Sequence, residues 1–130
     1  MHLFDQDIAL APVTAKTYTG AVSANWSING VPNGGYLMAI LTHALLQSSQ
    51  MTATPIVSTN FLKRCQPGDA GVWVERMSLS RQFDRLEARL EQNGEERIRA
   101  FGTFSDANME CRIERYLSRA PAIKKADECI

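Results

Sequence analysis

Acidic residues are missing from most of the first half of this chain: no Asp or Glu stands between Asp7 and Asp69. That long segment therefore has no carboxylate to act as a local base or metal ligand. Histidine is nearly absent too, with only His2 and His43. Three cysteines, Cys65, Cys111 and Cys129, are widely spaced and form no CxxC pair. Without histidines at ligand spacing they argue against a zinc site, and no metal is expected. Their odd number and spacing argue against a disulfide framework and point to a reducing compartment. No apolar run approaches the ~20 residues that span a bilayer. The start carries Asp5 and Asp7 and lacks the basic and apolar regions of a signal peptide. A cytoplasmic location and no membrane partner are expected. Charge of one sign is lacking as well: fourteen basic and fourteen acidic residues cancel, which gives no footprint for nucleic acid.

What is present is ordinary for a globular domain: 130 residues, 45% apolar and 22% charged. One domain is expected over residues 1–107, with 108–130 as an extension or linker. Residues 1–12 read as a loosely docked arm, and Lys16–Ala24 as a strand. The stretch from Trp26 to Gly35 reads as a loop feeding a helix over Tyr36–Ser49. That helix is apolar on nearly every side, through Leu37, Met38, Ile40, Leu41, Ala44, Leu45 and Leu46. Such a helix must be buried. The rest reads as β: Pro55–Arg64, a turn over Pro67–Gly71, Val72–Gln82, Phe83–Gln92 and Glu95–Ser105. The phase of the Val72–Gln82 pattern slips, which a bulge or burial on both faces would account for. Asn93-Gly94 is a hairpin turn by its chemistry. Residues from Cys111 could form a short strand or helix, and the Pro-containing end reads as linker.

One strand, a buried helix and an antiparallel meander define an α+β protein. An antiparallel sheet wrapped around one long central helix is the hotdog arrangement. A single sheet covers only part of such a helix, so a homodimer, a higher homo-oligomer or a pseudo-dimer with a second unit is expected.

The motif with most chemistry is the helix start. Asn33 can cap the first turn, while Gly34 and Gly35 leave the backbone open to close approach. Unpaired N–H groups at the positive end of a helix dipole can hold an anion or a developing oxyanion. Asn33, Gly34 and Gly35 are thus the candidate catalytic residues. Trp26, Tyr36 and Phe61 could line a ligand site or simply be core, and Ser58, Thr59 and Asn60 could orient water or substrate or be ordinary strand polar groups. His43 could serve as a base but reads rather as a core or interface histidine, and Asp84 could reach a partner but reads rather as a solvated carboxylate. Cys65 beside Arg64 could have a lowered pKa, but it lacks a base and is not read as a nucleophile.

The run W-x-x-x-G-x-P-N-G-G-Y-L from Trp26, F-L-K-R ending at Arg64, P-G-D after it and A-F-G-T-F-S ending at Ser105 resembles the TesB-like acyl-CoA thioesterase family. It is most similar to the first unit of double-hotdog members, over roughly Tyr18–Ser105. The resemblance implies hydrolysis of acyl-CoA to a free acid and coenzyme A. Coenzyme A then enters only as part of the substrate, with no separate cofactor. It also implies that the principal catalytic side chains lie in a second unit, and leaves a non-catalytic acyl-CoA-binding or dimerisation unit as the alternative.

Overall fold

The computed structural model describes residues 1–110 and 113–129, with Thr54 described by its backbone alone. The central helix α2 runs Gly34–Ser48, and its 15 residues make a rod of about 22 Å. Among the described residues, one antiparallel sheet of six strands packs on it: β1 (Ala11–Pro12), β2 (Thr17–Val22), β5 (Ala53–Phe61), β6 (Gly68–Leu79), β7 (Phe83–Gln92) and β8 (Glu95–Ser105), in the order β1-β2-β6-β7-β8-β5. A small hairpin, β3 (Ser27–Ile28) with β4 (Val31–Pro32), stands before the helix. This is the expected hotdog arrangement.

The strand pattern explains which side chains meet the helix. Val74, Ala88, Ala100 and Thr59 lie opposite one another across β6, β7, β8 and β5, and so do Val72, Leu90, Ile98 and Phe61. Directly opposed residues share a face, so these two rows form the inner surface. Leu41 and Leu45 of the helix press on it and are fully buried, as are Leu86, Leu90, Ile98 and Phe104. Each such side chain stabilises the fold by about 1.5–3 kcal/mol. Gly102 lets the helix come this close, since a Cβ there would lie 2.8 Å from the Phe104 ring and 3.0 Å from Leu45. The predicted phase slip is real: pairing of β6 with β7 skips Met77, between Arg76 and Ser78.

The helix has a second stripe that the sheet does not cover. Gly35 is exposed, and Met38, Ala39, Thr42, His43 and Leu46 are half-buried. These positions recur at helical spacing along one side. Among the described residues the sheet also has an open side, because β5 pairs with β8 alone and no strand lies on its other edge.

Several expectations need correction. Residues 1–12 carry secondary structure of their own: Leu3–Asp7 is a short helix, α1, and Ala11–Pro12 pairs with β2. The loop before α2 contains the β3–β4 hairpin, turned by Asn29 and Gly30 at φ of 52° and 76°. The turn expected over Pro67–Gly71 is shorter, because β6 starts at Gly68 to pair with Val22. Gln92 holds that corner: its side chain accepts from Gln66 N–H and donates to the carbonyls of Gln66 and Asp69. Of the tail, Cys111 and Arg112 lie outside the described residues. Over 113–117 there is no helix or strand, and 113–129 are exposed.

Asp84 is the largest correction, for it is fully buried rather than solvated. Its carboxylate accepts from Arg76 at 2.8 and 3.0 Å, from Gln50 N–H at 2.9 Å and from the Ser49 hydroxyl at 3.1 Å. Arg76 also donates to the Ser48 carbonyl at 3.0 Å, closing the end of α2. The hydrogen bond from Arg76 is the main cause that holds the Asp84 carboxyl below its ordinary 3.8. A depressed carboxyl contributes stability that is complete above its ordinary value and is lost as pH falls through the depressed one. Replacing Asp84 by Asn should cost about 3 kcal/mol at pH 7, the low end for breaking a buried pair, since the Arg76 side chain is 35% exposed. Urea denaturation should show this difference shrinking below pH 3.8. A difference that stays constant with pH would contradict the assignment.

Candidate active site

The β3–β4 hairpin delivers the chain to the helix start. Asn33 N–H donates to the Trp26 carbonyl at 2.8 Å, which pins the entry. Asn33 is extended, at φ −66° and ψ 138°, and caps α2. Its side-chain oxygen accepts from Gly35 N–H at 2.8 Å, and its carbonyl accepts from Leu37 N–H at 3.1 Å. The cap therefore occupies the N–H of Gly35. Among the described residues no protein acceptor takes the N–H of Gly34 or Tyr36. These are the two first-turn donors left over, at the positive end of the helix dipole.

The Phe61 ring lies against Gly34, 3.3 Å from where a Cβ would be. Phe61 is 54% exposed, so it shields the glycine without being locked in place. Thr59 lies on the same inner face, two residues back along β5. Its hydroxyl oxygen is buried and has no hydrogen-bond partner. Asn60 does not belong with them. It is exposed and pairs with Arg99, in the row that continues through Arg89 to Trp73 on the outer face. Strand alternation turns it away from the helix, so its expected role near the helix start is withdrawn. Ser58 shares that outer side. Arg89 lies over the Trp73 ring at 5.6 Å, a cation–π contact on the same surface.

Trp26 and Tyr36 come together, but through a partner that sequence reasoning missed. The rings stack at 6.2 Å, and Phe4 of α1 meets Trp26 edge-on at 5.1 Å. Asp7 accepts from the Trp26 indole N–H at 2.8 Å and from the Asn25 amide at 3.0 Å. The Tyr36 hydroxyl donates to the Asp7 carbonyl at 2.8 Å and accepts from Ser23 N–H at 2.9 Å. Tyr36 is 3% exposed with its hydroxyl fully engaged, which is the core reading of that residue. Burial pushes its phenol pKa up. The Asn25 hydrogen bond, helped by Trp26, holds the Asp7 carboxyl below its ordinary value. Asp7 is thus an ionised brace of low proton affinity. The i, i+4 spacing of Phe4 and Ile8 was the available signal for this docking.

His43 sits on the uncovered stripe of α2, its Nε2 2.9 Å from the Gln47 amide. Cys65 is buried, and burial pushes its thiol pKa up against a smaller pull from Arg97. The lowered value considered from its neighbour Arg64 is not found, and a buried, protonated thiol is inert.

The comparisons with known proteins agree with this fold. A structure assigned as thioesterase II from Thermobifida fusca superposes with a TM-score of 0.82 at 24% identity, over 99% of this chain and 48% of that one. A hot dog-fold protein of Alicyclobacillus acidocaldarius gives 0.81 at 18% identity, over 98% of this chain and 47% of that one. The fold is the hotdog fold. The profile of the acyl-CoA thioesterase N-terminal domain family matches residues 22–105, and the chain belongs to that family. The chain is also 33% identical over 90 residues to the Ustilagic acid biosynthesis cluster protein orf2 of Mycosarcoma maydis. It spans 24% of the length of that relative and about half of each of the two structures just named.

The cap gives a direct stability test. Two glycines open α2, and glycine is a poor helix former, so the helix leans on Asn33. Asn33→Ala should lower the unfolding free energy by about 1–2 kcal/mol, whereas Asn33→Asp, an equally good cap, should stay close to the parent. Equal loss in both variants, measured by urea titration at pH 7, would mean that capping is not what Asn33 contributes.

Proposed function

We propose that this chain is a hotdog unit of an acyl-CoA thioesterase that receives the thioester carbonyl at the start of α2. The observation that carries the reading is the Gly34 N–H, without a protein acceptor at the positive end of a long helix, in a member of a thioesterase domain family. A carbonyl oxygen placed there gains negative charge as water attacks, and the fixed N–H stabilises that charge. One such donor is worth roughly 10²–10³ in rate. The Gly35 N–H is engaged by Asn33, so Gly34 and Tyr36 are the donors of choice, and Asn33 holds the loop that presents them. Phe61 and Trp26 flank the approach, and Thr59 offers a free hydroxyl on the same inner face.

The general base comes from outside this chain, in a second copy or a second hotdog unit. The uncovered stripe of α2 and the free edge of β5 support that assembly, as a homodimer, a higher homo-oligomer or a two-unit protein. The substrate is an acyl-CoA, with coenzyme A leaving as the thiol. A cytoplasmic setting, where coenzyme A thioesters are made and used, fits this reading. No described helix is long and apolar enough to cross a membrane.

A second reading, a unit that binds acyl-CoA without hydrolysing it, is favoured by one observation. Asp7, the carboxylate closest in sequence to the helix start, is engaged by Asn25 and Trp26. Thiol release from a series of acyl-CoAs, measured beside equilibrium binding, separates the two. In the first reading Gly34→Val, whose Cβ crowds Phe61 and the open N–H, lowers kcat/KM by about 10²-fold. Unchanged turnover in that variant overturns the helix-start site. In the second reading the parent binds and releases no thiol. Asn33→Asp then supplies a carboxylate at the helix start and should raise thiol release by at least ~10²-fold, the range of general-base assistance.

A further inference from the structure

Two clefts meet the start of α2 from opposite sides. One, of about 350 Å³, is lined by Phe4, Trp26, Ile28, Asn33 and Tyr36. The other, of about 380 Å³, runs along the uncovered stripe and is lined by Ile8, Gly35, Met38, Thr42, His43 and Leu46. Asn33 stands in the first and Gly35 in the second, two positions apart on one turn. The N-terminal segment contributes one side chain to each, Phe4 to the first and Ile8 to the second. Between them on the same segment is Asp7, whose carboxylate and carbonyl hold Trp26, Asn25 and Tyr36.

We propose that residues 3–8 are a strap that divides one apolar channel across the start of α2, and that a long acyl chain displaces it. The strap has the properties of an element that opens. No residue of α1 is buried, and the helix is only five residues long. It is fastened by the hydrogen bonds to Asp7, by the edge-on contacts of Phe4 with Trp26 and Tyr36, and by the partly buried Phe4 and Ile8 side chains against the core. Segments with few buried apolar contacts open at far lower free energy than the core. With the strap in place, the two clefts share no lining residue. With it displaced, Phe4 and Ile8 leave their clefts, and a continuous path runs from Ile28 past Gly35 to Leu46. Phe4, Asp7 and Ile8 thereby set which acyl lengths the site admits: short acyl groups fit one cleft, and long ones bind only by releasing the Asp7 latch. This rests on the acyl-CoA reading above.

The test uses the full chain with Trp73→Phe, which leaves Trp26 as the sole tryptophan. The probes are the methyl and dodecyl thioethers of coenzyme A, which cannot be hydrolysed. The dodecyl compound should red-shift Trp26 emission and raise hydrogen exchange at the amides of residues 4–9 several-fold, and the methyl compound should do neither. Asp7→Ala should tighten dodecyl binding by about tenfold, as for a competent state populated roughly one part in ten, and leave methyl binding within twofold. Phe4→Ala, which keeps the latch, should act in the same direction and serves if Asp7→Ala fails to fold. Dodecyl binding without a Trp26 or exchange response, or variants that change both affinities alike, overturns the strap while leaving the acyl-CoA reading intact. Binding of neither compound overturns both.

Discussion

A helix that is apolar all round cannot be satisfied by one sheet, and the rest of this structure follows from that mismatch. The sheet takes Tyr36, Leu37, Ile40, Leu41, Ala44 and Leu45 and buries them. Gly35, Met38, Ala39, Thr42, His43 and Leu46 are left on the other side. Ile8 of the N-terminal segment covers only part of that side. The hydrophobic effect that drives the fold therefore leaves unburied surface along the helix that carries the candidate site.

Polar groups fix the two ends of that helix, in different ways. At the far end, buried Asp84 gathers Arg76, Ser49 and Gln50 and ties the helix exit to β6 and β7. Tyr18 adds a contact to Ser48 there, at 2.7 Å. At the near end the bonds lie closer to solvent: the Asn33 cap, the Trp26 carbonyl and the Asp7 brace. The exit is fastened to the core of the sheet, and the entry to short segments with little buried surface. Local opening is cheapest where buried contacts are fewest, so of the two ends the one with open N–H groups is expected to open first.

Much of this was legible in the amino-acid sequence, and the reasons are physical. The β7–β8 hairpin has clean alternation and an Asn93-Gly94 turn, so its boundaries were read correctly. Burial of α2 followed from its composition, and the Met77 bulge from a broken alternation. The family resemblance, carried by the motif around Asn33 and Gly34, is upheld by the family match over residues 22–105. What escaped were contacts between distant segments. Asp84 looked like a surface carboxylate because Arg76, Ser49 and Gln50 meet it only in the folded sheet. The face of Asn60 depended on the register of β5 against β8, which no local pattern specifies. The Asn29-Gly30 turn carried the same chemistry as Asn93-Gly94, but strands of two residues leave no periodicity to read. The docking of α1 needed Trp26 and Asn25 to meet Asp7 across the fold.

The free edge of β5 has a consequence for how this polypeptide meets other chains. It offers nine residues of backbone, with Ile56 70% and Phe61 54% exposed beside it. Unpaired strands of that length are templates for indiscriminate pairing between chains. Pro55, near the start of the strand, and Lys63 and Arg64, just beyond its end, blunt it only at its two ends. Among the described residues the middle of the edge has no such guard, so the unit stays open to pairing with another strand unless that edge is covered.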